Sequence, residues 1–349
     1  MRWINRRRFV LALGGGAAGG GLAGWLCARS AGARAREGGN PPGSPPGSPP
    51  VLVRMSRAMG SEVSIALIEE DQPRAKRALA AAFEELHRVE TVMSLYRPDS
   101  QLCRLNRDGL LAGPHPYLVD VLLRARAASQ RTEGAFDVTV QPLWELYAES
   151  HSAGRLPEAK AIEAVRSRVD WRRVEVSPEQ VRLHGRGTAV TLNGIAQGFA
   201  ADRVAGVLRR HGIEHALVNT GELGSLGDKR EGEPWTVGIR HPRRPDAHLA
   251  LAWLAGRSLA TSGDYATRFG SDYRDHHLFD PKTGRSPETF ASVSVVAPTA
   301  CEADTLSTSV FVLGPEEGLQ LVRSTPGADA MLVFKGGRTL ATAGFPTLA

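Results

Sequence analysis

The chain has 349 residues, of which 42% are hydrophobic and 23% are charged. This composition excludes a disordered, fibrous or polytopic membrane protein, and the length is sufficient for one large domain or two. The formal net charge is +6, but residues 1–36 contain seven arginines and no acidic residue, and subtracting their charge leaves −1 for the rest. The argument from basicity to a nucleic-acid partner therefore fails, and we expect none.

The first 33 residues have the pattern of an export signal. Residues 1–8 are basic, residues 9–28 carry no charge, and small residues at 31–33 offer a cleavage site. The paired arginines within 5–11 are typical of a twin-arginine signal, which exports folded proteins. We therefore expect a periplasmic protein. The alternative is an uncleaved leader that anchors the chain in the membrane.

Residues 34–50 are rich in Pro, Gly and Ser, which predicts a disordered linker because such a segment cannot bury apolar surface. The folded catalytic body is predicted at 51–349. Beyond the signal only Cys103 and Cys301 remain, and neither belongs to a C-x-x-C motif or a Cys/His cluster. We expect both to be unpaired thiols.

In the first half of the body, alternating apolar residues predict two strands joined by a tight turn at Met59-Gly60. A stripe of apolar residues at steps of three and four predicts a core-facing helix over 71–93. The strands are predicted at 51–57, 63–68, 174–176, 181–184 and 189–192, and two further helices at 118–129 and 158–168.

In the second half, a helix is predicted over 196–210, because Gly212 suits the left-handed cap position after it. The other elements are strands at 216–219, 235–240, 249–253, 292–296 and 330–334, and helices at 302–312 and 315–323. Strands and helices alternate irregularly, without a repeating β-α-β unit. This favours a single α+β body over a doubly wound sheet.

Several common catalytic motifs are absent. The sequence has no phosphate loop of the form G-x-x-x-x-G-K-[ST], no G-x-G-x-x-G after a strand, no G-x-S-x-G and no H-E-x-x-H. His211 and His215 have the spacing of helical metal ligands, but Gly212 ends the helix between them. We expect surface histidines there, not a metal site.

Small polar residues cluster at the predicted ends of elements, where backbone amides and short side chains can contact a ligand. Each cluster taken alone is typical of a turn. The clusters lie at 59–61, 94–100, 132–139, 193–198, 261–265 and 277–284.

In this order, the clusters resemble the ApbE family, the FAD:protein FMN transferases, over about 57–334. The family pattern has Met-Gly, Ser-x-Tyr, Gly-x-Phe-Asp-x-Thr-Val, a Lys-Gly helix start, Ser-Gly-Asp-Tyr, His-x-x-Asp-Pro-x-Thr-Gly and Asp-x-x-x-Thr, and all but one element is found. The resemblance implies an enzyme that binds FAD with Mg²⁺ and transfers its FMN half to a Thr hydroxyl of another protein, releasing AMP.

Breaking the FAD pyrophosphate requires neutralisation of phosphate charge, which a divalent cation supplies. Asp304 and Thr308 are four residues apart on a predicted helix, so their oxygens project from one face as hard ligands that suit Mg²⁺. Taken alone, such a pair more often only caps or decorates a helix. The resemblance assigns both residues to the metal together with the carbonyl of Gly194, and makes Asp304 a catalytic residue.

A Thr hydroxyl that attacks phosphorus loses its proton, and histidine has the unperturbed side-chain pKa closest to neutrality. His277 begins the cluster at 277–284. The resemblance places it beside the FAD phosphates, as a general base or as a donor that orients the phosphates, whereas His276 has no counterpart in the family. The alternative is a histidine that only packs at the end of a strand.

A flavin needs apolar and aromatic walls with a few polar groups at its edge. Met59, Tyr96 and Phe136 supply such walls, and the resemblance implies that they line the FAD pocket with the backbone of Ala135 and Asp137. The other predicted contacts to the cofactor are Gln197, Ser262, Gly263, His277 and Leu278.

Two positions and one turn depart from the family pattern, the turn being 219–222, which has one Gly where the family usually has two in succession. Gln197 stands where many relatives have Lys, and Thr191 stands where many have Asp. Gln donates a hydrogen bond but brings no charge to the phosphates. Two alternative functions therefore stay open: a non-catalytic FAD carrier, and an FAD pyrophosphatase that releases FMN and AMP.

The expected partner is a membrane-anchored redox protein that carries the acceptor Thr. Within the family, a twin-arginine leader is typical of the branch that assists nitrous-oxide reduction, which would make that partner a component of the same system. Any association of the chain itself with the membrane would come through this partner or through an uncleaved leader.

Overall fold

The structure, a computed structural model, describes residues 51–230 and 232–347. The predicted export signal and the linker lie outside these residues. Within them, no helix is both long and apolar enough to cross a membrane.

The described elements agree with the predicted α+β class. The strands are β1 (Val51–Ala58), β2 (Ser61–Ile68), β3 (Leu110–Ala112), β4 (Val174–Val176), β5 (Gln180–Leu183), β6 (His215–Asn219), β7 (Leu223–Leu226), β8 (Trp235–Arg240), β9 (His248–Leu254), β10 (Ser258–Gly263), β11 (Phe290–Ala297), β12 (Asp329–Phe334) and β13 (Thr339–Ala341). The helices are α1 (Gln72–Met93), α2 (Gln101–Asp108), α3 (Pro116–Arg131), α4 (Gln141–Ser152), α5 (Ala159–Arg166), α6 (Ala196–Arg210), α7 (Ala300–Leu313) and α8 (Pro315–Arg323).

An antiparallel sheet of eight strands forms the centre, in the order β1-β2-β6-β7-β10-β11-β12-β13. Its two faces follow the alternation of side chains along each strand. On β2, Ile65 and Leu67 pack in one apolar cluster with α1 and α6, whereas Ala66 and Ile68 pack against the β8–β9 hairpin on the other face. Helices α7 and α8 cover β10, β11 and β12.

Helices α6 and α7 approach each other closely at Gly198. A Cβ built on Gly198 would clash with the carbonyl oxygen of Ala300 and would lie 2.8 Å from Cβ of Asp304. Because glycine has no Cβ, the Gly198 amide reaches Oδ2 of Asp304 at 3.0 Å. One turn later, the Asp202 carboxylate accepts hydrogen bonds from the amides of Ala300 and Cys301, at 2.8 and 2.9 Å, which fixes the start of α7.

One predicted strand is wrong. Residues 189–192 pair with no strand in the described part of the chain. The side chain of Asn106 instead bonds the amide and the carbonyl of Val190, at 2.7 and 2.8 Å, and the Thr191 amide donates to the carbonyl of Val138 at 2.8 Å. A side chain thus supplies hydrogen bonds that a neighbouring strand would give.

Three smaller predictions are confirmed. Cys103 and Cys301 are free thiols, half-buried and buried respectively. Helix α6 ends at Arg210, Gly212 has φ +75°, and His215 belongs to β6, so His211 and His215 share no helix face.

The close approach of α6 and α7 predicts opposite effects of two Gly→Ala substitutions in α6. Gly198→Ala should lower the free energy of unfolding by about 2 kcal/mol or more, because the added methyl overpacks the helix contact. Gly206→Ala is the matched control, since its Cβ would meet only the Arg210 side chain at 3.6 Å. It should raise the free energy of unfolding by roughly 0.5–1 kcal/mol. Urea titration measures both, and equal effects would contradict the close approach.

Candidate active site

The predicted cation ligands come together at the start of α6 and along α7. Asp304 and Thr308 lie one turn apart on α7, and the backbone of Gly194 lies opposite Thr308. A Cβ on Gly194 would be 2.9 Å from Oγ1 of Thr308 and 3.4 Å from the ring of Phe136. Because Gly194 has no Cβ, the space between its backbone and the Thr308 hydroxyl stays open.

Ser262 joins this group from the central sheet. It lies on the helix-covered face of β10, and its hydroxyl is 2.8 Å from Oγ of Ser307 and 3.1 Å from Oγ1 of Thr308. The structure thus brings Gly194, Ser262, Asp304 and Thr308 into one cluster, hereafter called the α7 pocket.

Two desolvated carboxyl groups belong to the α7 pocket. Burial raises the pKa of Asp304, the nearby Asp202 raises it further, and only the amide of Gly198 lowers it among the described residues. Burial and the charge of Asp304 also raise the pKa of Glu222 well above its usual range, while the amide of Thr261 donates to Oε2 of Glu222 at 3.0 Å. No cationic side chain in the described residues contributes to either shift, so a bound cation would relieve the repulsion.

Sequence reasoning missed Glu222. The available signal was the turn at 219–222, which has one Gly where the family usually has two. The pairing of β7 with β10 ends at Leu223 and Leu259, and just beyond it the Glu222 side chain accepts the hydrogen bond of the Thr261 amide.

The α7 pocket fits a hard divalent cation. Carboxylate, hydroxyl and backbone carbonyl oxygens are the ligands that Mg²⁺ takes from proteins, and Gly194 leaves room beside Thr308. Among residues 51–230 and 232–347, no group of three or more His, Cys, Asp or Glu side chains could hold a metal. Such an ion would therefore depend on Asp304 with the hydroxyl of Thr308, the carbonyl of Gly194 and oxygens of its substrate.

Gln197 connects three segments at the edge of this pocket. Its Nε2 donates to Oγ of Ser61 at 3.4 Å, and its backbone carbonyl accepts from the Thr220 hydroxyl at 2.8 Å. Its side chain packs directly on Gly221, where φ is +106° and a Cβ would clash with it. Gln197 thus links α6 to the β1–β2 and β6–β7 turns, without bringing a positive charge.

Met59 occupies an uncommon backbone conformation. It has φ +53° in the β1–β2 turn, its amide donates to Oε1 of Glu90 at 3.0 Å, and its side chain is half-buried against the core cluster that contains Phe136. Non-glycine residues in the left-handed region cost energy and concentrate at functional sites. Tyr96, in the turn after α1, is 46% exposed.

The segment 132–139 is held by its own polar side chains. The Thr132 hydroxyl accepts from the Phe136 amide at 3.0 Å. The buried carboxylate of Asp137 accepts from the amide and hydroxyl of Thr139 and from the Trp171 amide, at 2.7, 2.6 and 2.9 Å, and burial raises its pKa to about 6. The Asp137 side chain is thus committed to the protein, and the Ala135 amide donates to the Thr132 carbonyl at 3.0 Å, which leaves the backbone of Asp137 and the carbonyl of Ala135 for a ligand.

The two adjacent histidines have different environments. His276 is fully buried, its Nε2 donates to the Pro287 carbonyl at 3.1 Å and its Nδ1 accepts from the Leu278 amide at 3.4 Å. His277 is half-buried, and its Nδ1 lies 3.3 Å from the Thr267 carbonyl. A carbonyl only accepts, so Nδ1 of His277 carries a proton in this contact. The two rings therefore differ both in burial and in their hydrogen-bond partners.

The last two predicted contacts are placed differently. Gly263 ends β10, and the ring of Tyr265 packs where a Cβ of Gly263 would lie. The Leu278 side chain is buried in the apolar cluster beneath α7, so it offers a ligand its backbone only.

Comparison with known proteins identifies the family. A model of the ApbE family matches residues 59–332. The chain is 35% identical over 291 residues to the FAD:protein FMN transferase of Treponema pallidum, covering 76% of this chain and 80% of that protein. It is 32% identical over 295 residues to a FAD:protein FMN transferase of Klebsiella pneumoniae, covering 80% and 83%.

Comparison with solved structures leads to the same family. The ApbE protein of Thermotoga maritima superposes with a TM-score of 0.75 at 28% identity, covering 84% of this chain and 97% of that one. The apo form of the flavinyl transferase ApbE of Pseudomonas stutzeri gives 0.73 at 29% identity, covering 84% and 94%. The chain belongs to the ApbE family, and the resemblance found in the sequence is confirmed.

The bonds of Asp137 predict a stability effect. Asp137→Asn should lower the free energy of unfolding by roughly 1–3 kcal/mol, because the amide group would face donors and leave one of them unsatisfied in a buried site. Asp170→Asn is the control, since the Asp170 carboxylate also accepts from a backbone amide, that of Arg172 at 3.0 Å, but is exposed. Urea titration of both variants checks this, and equal losses would contradict the buried role of Asp137.

The environment of His276 predicts an acid-dependent loss of stability. Burial lowers its pKa from 6.5 to about 3, so the unfolded chain binds a proton over this range that the folded chain does not. The contribution of His276 to the free energy of unfolding should therefore fall as the pH drops from 6.5 towards 3, whereas the raised pKa of Asp137 acts in the opposite direction. His276→Gln lacks this titrating group. The difference in free energy of unfolding between the natural chain and this variant should therefore become smaller in acid. A pH-independent difference in urea titrations would refute this.

Proposed function

We propose that the chain is a Mg²⁺-dependent FAD:protein FMN transferase, which moves the FMN half of FAD to a Thr hydroxyl of a target redox protein and releases AMP. The observation that carries the proposal is the α7 pocket, in which hard oxygen donors and uncompensated carboxyl groups meet in a chain of the ApbE family. The names of the relatives support the reaction.

The proposed residues divide the chemistry between them. His277 takes the proton of the acceptor hydroxyl on Nε2 as the hydroxyl oxygen bonds to the FMN phosphorus. The bond from that phosphorus to the bridging oxygen breaks, and its electron pair leaves with AMP. A Mg²⁺ ion held by Asp304, Thr308 and the Gly194 carbonyl would neutralise the pyrophosphate charge.

The flavin contacts in this proposal come from the turns around the pocket. Met59, Tyr96 and Phe136 supply apolar and aromatic surface. The carbonyls of Ala135 and Leu278 and the backbone groups of Asp137 and Gly263 remain for polar contacts, with the side chains of Gln197 and Ser262.

The proposed location is the periplasm, after folded export by the twin-arginine signal at 1–33, and the proposed partner is a membrane-anchored redox protein. A place in the nitrous-oxide-reduction branch of the family is part of the same proposal and rests on that leader. If the leader is retained, it holds the enzyme next to such a partner.

One observation favours a second function. Gln197 provides a hydrogen bond but no charge where many relatives have Lys. Weaker neutralisation of the phosphate charge would favour FAD binding without transfer, and the chain would then be a carrier. If water attacked in place of the acceptor hydroxyl, the chain would be a pyrophosphatase.

Transfer is tested by incubating the purified protein with FAD, Mg²⁺ and a periplasmic acceptor domain, followed by intact-mass measurement of the acceptor. We expect a gain of one FMN, no gain with EDTA or with the acceptor Thr→Val, and a rate lowered about 10²-fold or more in His277→Ala. Asp304→Asn should lose transfer, whereas Glu302→Gln, on the same helix but outside the pocket, should stay within about twofold.

The other outcomes separate the alternatives. Free FMN and AMP without a mass gain would identify a pyrophosphatase. Bound FAD with no product would identify a carrier. Full transfer by Asp304→Asn would overturn the assignment of the pocket.

A further inference from the structure

His277 is carried by a folded-back loop between β10 and β11. Residues 264–277, hereafter the His277 loop, are closed by antiparallel backbone contacts, including a bridge between Arg268 and His276. The Phe269 amide donates to the Asp275 carbonyl at 2.8 Å, and the His277 amide donates to the Thr267 carbonyl at 3.1 Å. The same Thr267 carbonyl contacts Nδ1 of His277. The distance between the two antiparallel segments of the loop, hereafter its two limbs, therefore sets the orientation of the histidine ring.

The tip of the loop is clamped from outside. Tyr273, at φ +62°, has its ring against the guanidinium groups of Arg243 and Arg268, at 3.9 and 4.5 Å from the ring centre. Its carbonyl accepts from Nζ of Lys335 at 2.6 Å. Arg243 comes from the β8–β9 connection and Lys335 follows β12, so two distant segments hold one strained residue.

The base of the loop is tied to the same two cations. Asp264 is completely buried, and its two carboxylate oxygens accept from the guanidinium of Arg243, each at 2.7 Å. Nζ of Lys335 lies 3.8 Å from Oδ2 of Asp264. A buried carboxylate is costly without such partners, so Asp264 requires Arg243 to stay in place.

We propose that Asp264, Arg243, Tyr273 and Lys335 are positioning residues that fix the His277 ring for proton transfer. This inference rests on the proposed function, in which His277 is the base. The four residues hold the base and the tip of the loop together and act only through the separation of its limbs. A small displacement of a catalytic group is enough to slow a reaction strongly.

The test uses Arg243→Gln with Arg257→Gln as the matched control. Arg257 also forms an ion pair, with Asp329 at 2.9 Å, and its side chain is 31% exposed against 30% for Arg243, but it contacts no residue of the His277 loop in the bonds described. Arg243→Gln should lower kcat of FMN transfer about tenfold with KM for FAD within about twofold, whereas Arg257→Gln should change neither. Arg243→Lys should recover part of the loss, because it restores the charge but not the two parallel hydrogen bonds.

A double-mutant cycle distinguishes positioning from general weakening. In a His277→Ala background, Arg243→Gln should cause no further loss of kcat, because the group that it positions is absent. Equal losses in both backgrounds would overturn the proposal. If Arg243→Gln does not fold, Lys335→Met serves in its place, since it keeps the Asp264–Arg243 pair.

A second measurement, of the ring nitrogens of His277, does not depend on FMN transfer. In histidine-labelled protein, the ring nitrogen signals of His277, assigned by their loss in His277→Ala, should report a proton on Nδ1 in the natural chain and in Arg257→Gln, and should change in Arg243→Gln. Unchanged signals in Arg243→Gln would overturn the proposal even if the activity falls. A natural chain that transfers no FMN would refute the proposed function alone, and the ring signals would still decide the positioning.

Discussion

The close approach of α6 and α7 at Gly198 is the constraint on which the candidate site depends. Any side chain at that position would separate the helices, and the amide of Gly198 would no longer reach the carboxylate of Asp304. Gly194, four residues earlier, leaves the gap beside Thr308. Gly194, in the turn before α6, and Gly198, in the first turn of α6, thus set the space beside Thr308 and the contact to the Asp304 carboxylate.

The energetic cost of this arrangement is electrostatic. Asp304 and Glu222 are desolvated near each other, and the described residues give them backbone amides but no cationic side chain. Two other buried acids have cationic partners, since Arg243 pairs with Asp264 and Arg203 with Glu85, whereas the buried Asp137 accepts three hydrogen bonds instead. Under the proposal, a bound Mg²⁺ would supply the positive charge that the described residues do not give Asp304 and Glu222. In the proposed function, Gln197 makes that dependence stronger because it too is uncharged.

The sequence predicted best the elements with strong local signals. The bounds of α6, β8 and α8 agree with the predictions, since Gly212 and Pro315 mark helix ends and β8 alternates strictly. The strand at 189–192 was wrong because Asn106, distant in sequence, supplies its hydrogen bonds, and α2 and α4 were missed beside the polar clusters that drew the functional interpretation. Glu222 and the ties of the His277 loop depend on contacts between distant segments, which no local pattern reveals. Motif order identified the family, but only the fold shows which residues meet.

The most direct test of the central claim is a crystal structure of the protein with FAD and Mn²⁺, a Mg²⁺ substitute whose position anomalous scattering reveals. The account predicts one Mn²⁺ peak in the α7 pocket, ligated by Asp304, Thr308 and the Gly194 carbonyl, with the FAD pyrophosphate beside it. A Mn²⁺ ion bound elsewhere, or FAD bound with no ion in this pocket, would contradict it.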